Sequence, residues 1–341
     1  MIKEAIVKIA EGKNLTQPEM TLAFEEIMSG VAEPCQIAAF ITALRIKGET
    51  VEEITAAAKV MRKFAVKIDA KDTGKEHVVD TCGTGGSRVN TFNISTAAAF
   101  VVAGCDIKVA KHGNRAASGH CGSADVLERL GVNINLTPAQ VAECIKTTGM
   151  GFLFAPLFHS AMKYAAGVRK AIGIRTIFNI LGPLSNPANA TCQVLGVYNR
   201  SLTKAMAQVL NNLGVKHAFV VCGYDGTDEV SITGPTQISE LKDNKVKTYT
   251  VTVQQYGFKK ARMEDIAGGD SEYNAKVLLS VLEGEKGPKR DVVLLNSAFA
   301  IYTADGAKTV KDAIKKAKSS IDSGSALKKL KELKEFSNKK G

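Results

Sequence analysis

Apolar and polar positions change their rhythm once along this chain. Up to about residue 70 the apolar residues recur at helical spacing and strand signals are almost absent. Thr16-Gln17-Pro18-Glu19 sets a threonine three positions ahead of a glutamate, with a proline in the first turn, a capping box that opens a helix running to Gly30. Thr50 and Glu53 repeat the device ahead of Ala56, Ala57, Val60 and Met61, and between the two lies an Ala- and Ile-rich segment, Pro34 to Lys47, stopped by Gly48. Three short helices are predicted to form a small bundle.

From His77 the pattern alternates. A short apolar strand at Val78-Val79 runs into the glycine loop Gly83-Thr84-Gly85-Gly86, and an Ala-rich helix follows through Ala97 to Val102. Further strands are predicted at Ile107 to Ala110, Phe152 to Phe154, Val194 to Val197, Ala218 to Cys222 and Thr248 to Val253. Helices are predicted over 124–130, 138–147, 157–170, 201–213, 272–283, 291–303, 308–321 and 325–336. Strands alternating with helices imply an α/β fold whose mostly parallel sheet is flanked by helices. With 341 residues the chain exceeds one simple core, so the expectation is a small helical domain over 1–70, completed by helices from about 157–185, and a large α/β domain over 71–341.

Composition narrows the function classes. No apolar run approaches the ~20 residues that span a bilayer, and Lys3, Glu4 and Lys8 interrupt the N-terminus in a way signal peptides do not, so a cytoplasmic location with no membrane partner is expected. The seven cysteines include no CxxC pair and no zinc-like spacing, which reads as reduced structural thiols, with Cys82 and Cys121 in Gly-rich segments the two placed for exposure. A net charge of +11 invites a nucleic-acid reading. Much of the excess, however, lies on Lys315, Lys316, Lys318, Lys328, Lys329, Lys331 and Lys334, where Leu327, Leu330 and Leu333 recur as on an amphipathic surface helix. Aromatic platforms and nucleic-acid modules are absent, so no nucleic-acid partner is expected.

Three segments carry chemistry. In Asp80-Thr81-Cys82-Gly83-Thr84-Gly85-Gly86 the glycines admit close backbone approach, which suits an anion-binding nest and a tight strand-to-helix turn equally. Asn90-Thr91-Phe92-Asn93-Ile94-Ser95-Thr96 then supplies more hydroxyl and amide groups than one helix cap uses, at a helix N-terminus that favours negative charge. Lys111 to Asp125 is dense in cations, amides, hydroxyls and glycines where a parallel strand should end, the usual ligand position in such sheets. Together they suit a polyphosphate compound.

The D-x-x-G-T-G-G loop, the N-x-x-N-I-S-T run, K-H-G-N-R leading on to G-S-A-D-V-L-E, Gly182-Pro183-Leu184-Ser185-Asn186-Pro187 and Asp225-Gly226-Thr227-Asp228-Glu229 follow one another in an order and spacing that resemble the anthranilate phosphoribosyltransferase family over nearly the whole chain. The resemblance implies transfer of a phosphoribosyl group from phosphoribosyl pyrophosphate to the amine of anthranilate in tryptophan biosynthesis, two Mg²⁺ ions, and a homodimer formed through the helical domain. It implies that Gly83, Thr84, Gly85, Gly86 and Ser87 line the pyrophosphate, and that Asn93, Ser95 and Thr96 hold the 5-phosphate region. Lys111 and Asn114 would bridge the two substrates, and Ser118 and Ser123 would meet phosphate. His112 and His159 would flank the anthranilate beside Gly83, with Arg169 on its carboxylate; Ser95 would touch one metal, and Asp228 and Glu229 the second. Gly119 and His120 stand where many members carry a serine and a lysine, which leaves that phosphate contact to Ser118 and backbone groups. No covalent or general-base residue is expected, because an arylamine is already neutral at pH 7.

Three rivals fit less well. A pyrimidine nucleoside phosphorylase shares the fold family but carries a K-x-S-G-R type segment where this chain has Lys111 to Arg115. A non-catalytic nucleic-acid-binding relative would tolerate loss of the glycine loop or of Asp228-Glu229, and both are intact. A type I phosphoribosyltransferase would need a Thr/Gly phosphate loop after its acidic pair, which Phe219 to Thr233 lacks.

Overall fold

A computed structural model describes residues 1–68, 77–85, 89–116 and 121–339. The N-terminal segment contains four helices: α1 (Ile2–Ala10), α2 (Gln17–Ser29), α3 (Pro34–Lys47) and α4 (Val51–Phe64). The expectation of three missed α1, which has no side-chain cap and buries only Ile2, Ala5 and Ile9. Both capping boxes form; in the first, the Thr16 N–H donates to Glu19 at 2.7 Å, and α2 ends at Gly30 with φ 78. Glu53, in the first turn of α4, is fully buried and accepts from the Leu15 N–H at 2.9 Å and from Lys47 Nζ at 2.9 Å. One carboxylate thereby ties the α1–α2 connection and the end of α3 to α4.

The second part is built on a seven-stranded sheet of β1 (Val78–Gly83), β2 (Lys108–Gly113), β3 (Met150–Phe154), β4 (Cys192–Gly196), β5 (His217–Gly223), β6 (Thr236–Lys242) and β7 (Lys245–Val251), in the order β3-β2-β1-β4-β5-β6-β7. The first five are parallel and β6 and β7 are antiparallel. Sequence reading missed β6 and set the last strand three residues late. The hairpin turns on Asp243 and Asn244, both at positive φ, the geometry a two-residue turn requires, but with neither Gly nor Pro to announce it. Side chains on β5 alternate between two cores: Phe219 and Val221 enter one with Val79, Val109 and Val194, while Ala218, Val220 and Cys222 enter the other.

On the first face lie α5 (Ile94–Ala103), α12 (Ser271–Leu282), α13 (Pro288–Thr303), α14 (Val310–Asp322) and α15 (Ser325–Asn338), with α5 and α13 almost wholly buried. On the second face α11 (Leu202–Asn212) packs against α4, so that α1–α4 share one core with this side of the sheet. Between β2 and β3 come α6 (Ser123–Arg129) and α7 (Pro138–Thr148); between β3 and β4 come α8 (Ala155–Phe158), α9 (Lys163–Ile172) and α10 (Phe178–Leu181). The single helix expected over 157–170 is in fact broken at His159, whose φ −122 and ψ 55 are not helical. Ala165, Phe178 and Leu181 from α9 and α10 enter the core that holds α1–α4.

Candidate active site

β1 lies at the centre of the parallel strands, and the chain moves outward from it in opposite directions, to β2 and β3 on one side and to β4 and β5 on the other. The sheet's switch point therefore falls between β1 and β4, and the region beyond their carboxyl ends is where such an α/β sheet binds ligands. The two strands end on paired glycines, Gly83 and Gly196. The Thr84 N–H donates to the Gly196 carbonyl at 2.8 Å, and the Tyr198 N–H to Thr84 Oγ1 at 3.2 Å. Both glycines make room for Asp228. A Cβ on Gly83 would come 2.6 Å from Asp228 Oδ2, and one on Gly196 would fall 1.6 Å from the Asp228 carbonyl oxygen. Gly85 has φ 66, a left-handed conformation that favours glycine.

Asp228 and Glu229 sit in the loop after β5, and that loop is braced at both ends. Asp225 accepts from the Thr227 N–H at 3.0 Å, from the Thr227 hydroxyl at 2.8 Å, and from the hydroxyls of Ser231 and Thr233. At the other end Asn296 of α13 grips Val230 by both backbone groups, accepting from its N–H at 2.9 Å and donating to its carbonyl at 3.0 Å. Burial and the Asp228 charge push the Glu229 carboxyl up to about 8, against the pull of Lys111 and the Ser95 N–H. Lys111, only 2% exposed, donates Nζ to the Thr81 carbonyl and to Ser95 Oγ, the latter at 3.4 Å. Its pKa is lowered by burial and held up by Asp80, Cys82 and Glu229.

Sequence reading assigned no role to Asp80 or Asn186, and the structure puts both at the centre. Asp80 is fully buried, and its carboxyl is pushed up to about 6 by burial despite Lys111 and the Asn186 amide. It accepts from the His112 N–H at 3.2 Å and from Asn186 Nδ2 at 2.8 Å, and Asn186 also donates to the Ala110 carbonyl at 2.8 Å. The aspartate that opens the glycine-loop motif was the available signal.

Of the predicted site residues, Gly83, Ser95, Lys111, Asp228 and Glu229 come together here. Thr96, in the first turn of α5, is 1% exposed with its hydroxyl unpartnered. Asn93 is engaged from both sides, donating to the Cys121 carbonyl at 3.2 Å and accepting from Asn274 at 3.0 Å. Asn114 and Ser123 lie together, the Ser123 hydroxyl donating to the Asn114 carbonyl at 3.4 Å. His112 is the penultimate residue of β2 and His159 follows α8; their ring centroids are 5.1 Å apart and burial pushes their pKa values down to about 3 and about 4. Arg169, half-buried in the last turn of α9, lies with its guanidinium 5.3 Å from the Phe178 ring centroid, and burial lowers its pKa. Gly86, Ser87, Ser118, Gly119 and His120 fall outside the described residues. The expected exposure of Cys82 is corrected: the residue is buried, Gln193 donates to its sulfur at 3.0 Å, and burial raises its thiol well above the ordinary value.

For a cation the fit is that of Mg²⁺. Among the described residues no three His, Cys, Asp or Glu side chains cluster as a self-sufficient metal cage. Mg²⁺ is commonly held by one or two carboxylates, with water and substrate phosphates completing its shell. Two adjacent acids, one of which is kept from ionising by burial and its neighbour's charge, suit such an ion.

The architecture defines a two-part glycosyl transferase: residues 3–65 match the helical bundle domain of the glycosyl transferase family, and residues 75–327 match its a/b domain. The anthranilate phosphoribosyltransferase of Acetivibrio thermocellus is 55% identical over 99% of this chain and 97% of its own length, and that of Symbiobacterium thermophilum is 53% identical over 99% and 98%. The crystal structure of the Thermus thermophilus enzyme superposes with a TM-score of 0.92 at 37% identity, covering 98% of this chain and 99% of that one. The Saccharomyces cerevisiae enzyme, solved with phosphoribosyl pyrophosphate and Mg, matches with a TM-score of 0.90 at 29% identity over 98% and 97%. The chain belongs to the anthranilate phosphoribosyltransferases. Among its described residues no helix is long and apolar enough to cross a membrane.

Proposed function

We infer that the protein transfers the phosphoribosyl group of phosphoribosyl pyrophosphate to the amine of anthranilate, giving N-(5-phosphoribosyl)anthranilate and pyrophosphate, a step of tryptophan biosynthesis. The observation that carries the reading is the joining of Lys111, Ser95 and the Asp228–Glu229 pair at the sheet's switch point, beside a glycine loop. Carbon 1 of the ribose loses pyrophosphate through an oxocarbenium-like transition state, so negative charge grows on the leaving group while positive charge grows on the sugar. Lys111 and the N-terminus of α5 offer fixed positive potential on the leaving-group side. Gly83, Thr84, Gly85, Gly86 and Ser87 are assigned to the pyrophosphate. Asn93, Ser95, Thr96, Ser118 and Ser123 are assigned to the phosphates, with the unpartnered Thr96 hydroxyl free for one of them.

Anthranilate is assigned to Gly83, His112, Asn114 and His159, with Arg169 pairing its carboxylate. Neutral histidines suit this role, since the arylamine attacks without prior deprotonation and the main contribution is its placement behind carbon 1. Ser95 would hold one Mg²⁺ and Asp228 with Glu229 a second, and each ion when bound supplies charge neutralisation to the phosphates. The small domain is assigned to 1–70 with 157–185, the large one to 71–341, and the enzyme to the cytosol as a homodimer. Exposed Val7, Val31, Ile46 and Ile174 on or beside the helical part support that dimer. Pyrophosphate release with anthranilate, compared with phosphorolysis of thymidine or uridine, tests the reading: turnover only with the nucleosides would replace it with a nucleoside phosphorylase.

A further inference from the structure

The turn from Gly182 to Ser185 runs between α10 and β4, and a different side chain holds each of its first three carbonyls. His112 Nδ1 donates to the Gly182 carbonyl at 3.2 Å, Gln193 Nε2 to that of Pro183 at 2.7 Å, and Arg62 Nε to that of Leu184 at 2.7 Å, while the Ser185 backbone lies close enough to His159 to hold its pKa up against burial. The three donors come from β2, β4 and α4. A carbonyl only accepts, so a neutral His112 must carry its proton on Nδ1. Its Nε2 is left as a lone-pair acceptor, and the Nε2 atoms of both His112 and His159 are buried without a partner. A buried, unpartnered acceptor calls for a donor that the chain does not supply.

Arg62 is the one member of this set from the N-terminal helices. Its guanidinium also donates Nη1 to the Leu213 carbonyl at 3.2 Å, at the C-terminus of α11. Burial lowers its pKa to about 10, and these two hydrogen bonds run to carbonyls rather than to a carboxylate. A half-buried cation bridging two carbonyls of different elements fixes their separation with the rigid fork of a guanidinium. We propose that Arg62 is a positioning residue for the aromatic substrate: through the Leu184 carbonyl it holds the Gly182–Ser185 turn, which fixes the tautomer of His112 and the placement of both His112 and His159. The helical domain would thus set the acceptor half of the site, and the phosphate half, on β1, α5 and the β5 loop, would be independent of it. This rests on the assignment of the two histidines to anthranilate.

The test combines kinetics with a spectroscopic readout on the full-length enzyme. Arg62→Met removes both donors and Arg62→Lys keeps the cation without the fork. In both variants the KM for anthranilate should rise, by about tenfold in Arg62→Met and less in Arg62→Lys, with the KM for phosphoribosyl pyrophosphate within about twofold of wild type. Long-range ¹H–¹⁵N correlation on ¹⁵N-histidine protein without substrates should show His112 as the Nδ1–H tautomer in wild type, with mixed tautomers in Arg62→Met. If Arg62→Met does not fold, Arg62→Lys alone decides the matter. Unchanged anthranilate KM, equal rises in both KM values, or an Nε2–H tautomer of His112 in the wild type would overturn the proposal. A wild-type enzyme that fails to use anthranilate would instead overturn the substrate assignment, leaving the tautomer result to judge Arg62.

Discussion

One methyl group added at Gly196 probes how the acid pair is placed. The new Cβ would lie 1.6 Å from the Asp228 carbonyl oxygen, 2.5 Å from its carbonyl carbon and 3.1 Å from its Cβ, and real contacts below 3.0 Å essentially never occur. Two of those atoms are backbone, so no rotamer change relieves the overlap. The 228–229 segment would have to withdraw by about 1.4 Å, and a displacement of ~1 Å at a reacting site costs on the order of 100-fold in rate. We therefore expect Gly196→Ala to lower kcat/KM about 100-fold, equivalent to about 2.7 kcal/mol of barrier. Overpacking costs about 1–3 kcal/mol, so the protein should remain folded with a lower Tm. Initial rates of pyrophosphate release across a wide Mg²⁺ range, with circular dichroism melts on the same samples, measure both effects. Gly167→Ala in α9 is the control, since a Cβ there meets nothing within 4 Å. A folded Gly196→Ala enzyme with wild-type kcat/KM would refute the claim that this glycine exists to admit Asp228.

Other outcomes follow from the same geometry. Arg169→Ala should raise the KM for anthranilate about tenfold or more while leaving that for phosphoribosyl pyrophosphate nearly unchanged, because only one substrate presents a carboxylate to it; equal effects would sink the assignment. The Glu229 carboxyl sits at about 8 against an ordinary 4.5, so the metal-free fold takes up a proton there that the unfolded chain releases. Its contribution is present below about pH 4.5 and lost as pH rises through 8, and Mg²⁺ should restore stability more at pH 8 than at pH 6; thermal melts with and without the ion at both values check the sign. Glu53→Gln strips the buried Lys47 ammonium of its counter-charge and should lower unfolding stability by about 3 kcal/mol, read from urea titration; a loss below ~0.5 kcal/mol would mean the pair behaves as a surface bridge.

Local signals carried much of the fold into view. Capping boxes at Thr16 and Thr50 and a glycine after α2 act within a few residues, so α2 and α4 were legible where they lie. The hairpin of β6 and β7 was not, because Asp243 and Asn244 turn the chain without glycine or proline and β7 exposes most of its side chains. The break at His159 was equally hidden. Its neighbours keep an apolar helical rhythm, yet the backbone leaves the helix at φ −122 and ψ 55 and the ring comes to lie 5.1 Å from that of His112.

Five short motifs, in order, were enough to determine the family and the chemistry, because phosphate cradles and acid pairs are written in contiguous residues. What the sequence by itself left open is which of those residues meet and what holds them. Gly83 and Gly196 are 113 positions apart, and only strand pairing makes them the two walls around Asp228. Asp80 looked like one polar residue ahead of a glycine loop until burial between β2 and Asn186 made it a bracket for His112. Arg62 and Asn296 carry no motif at all; they act from distant helices through backbone carbonyls and amides that every residue possesses. Such contacts depend on where the backbone goes in three dimensions and leave no mark in the identity of the residue they grip, so tertiary structure alone decided them.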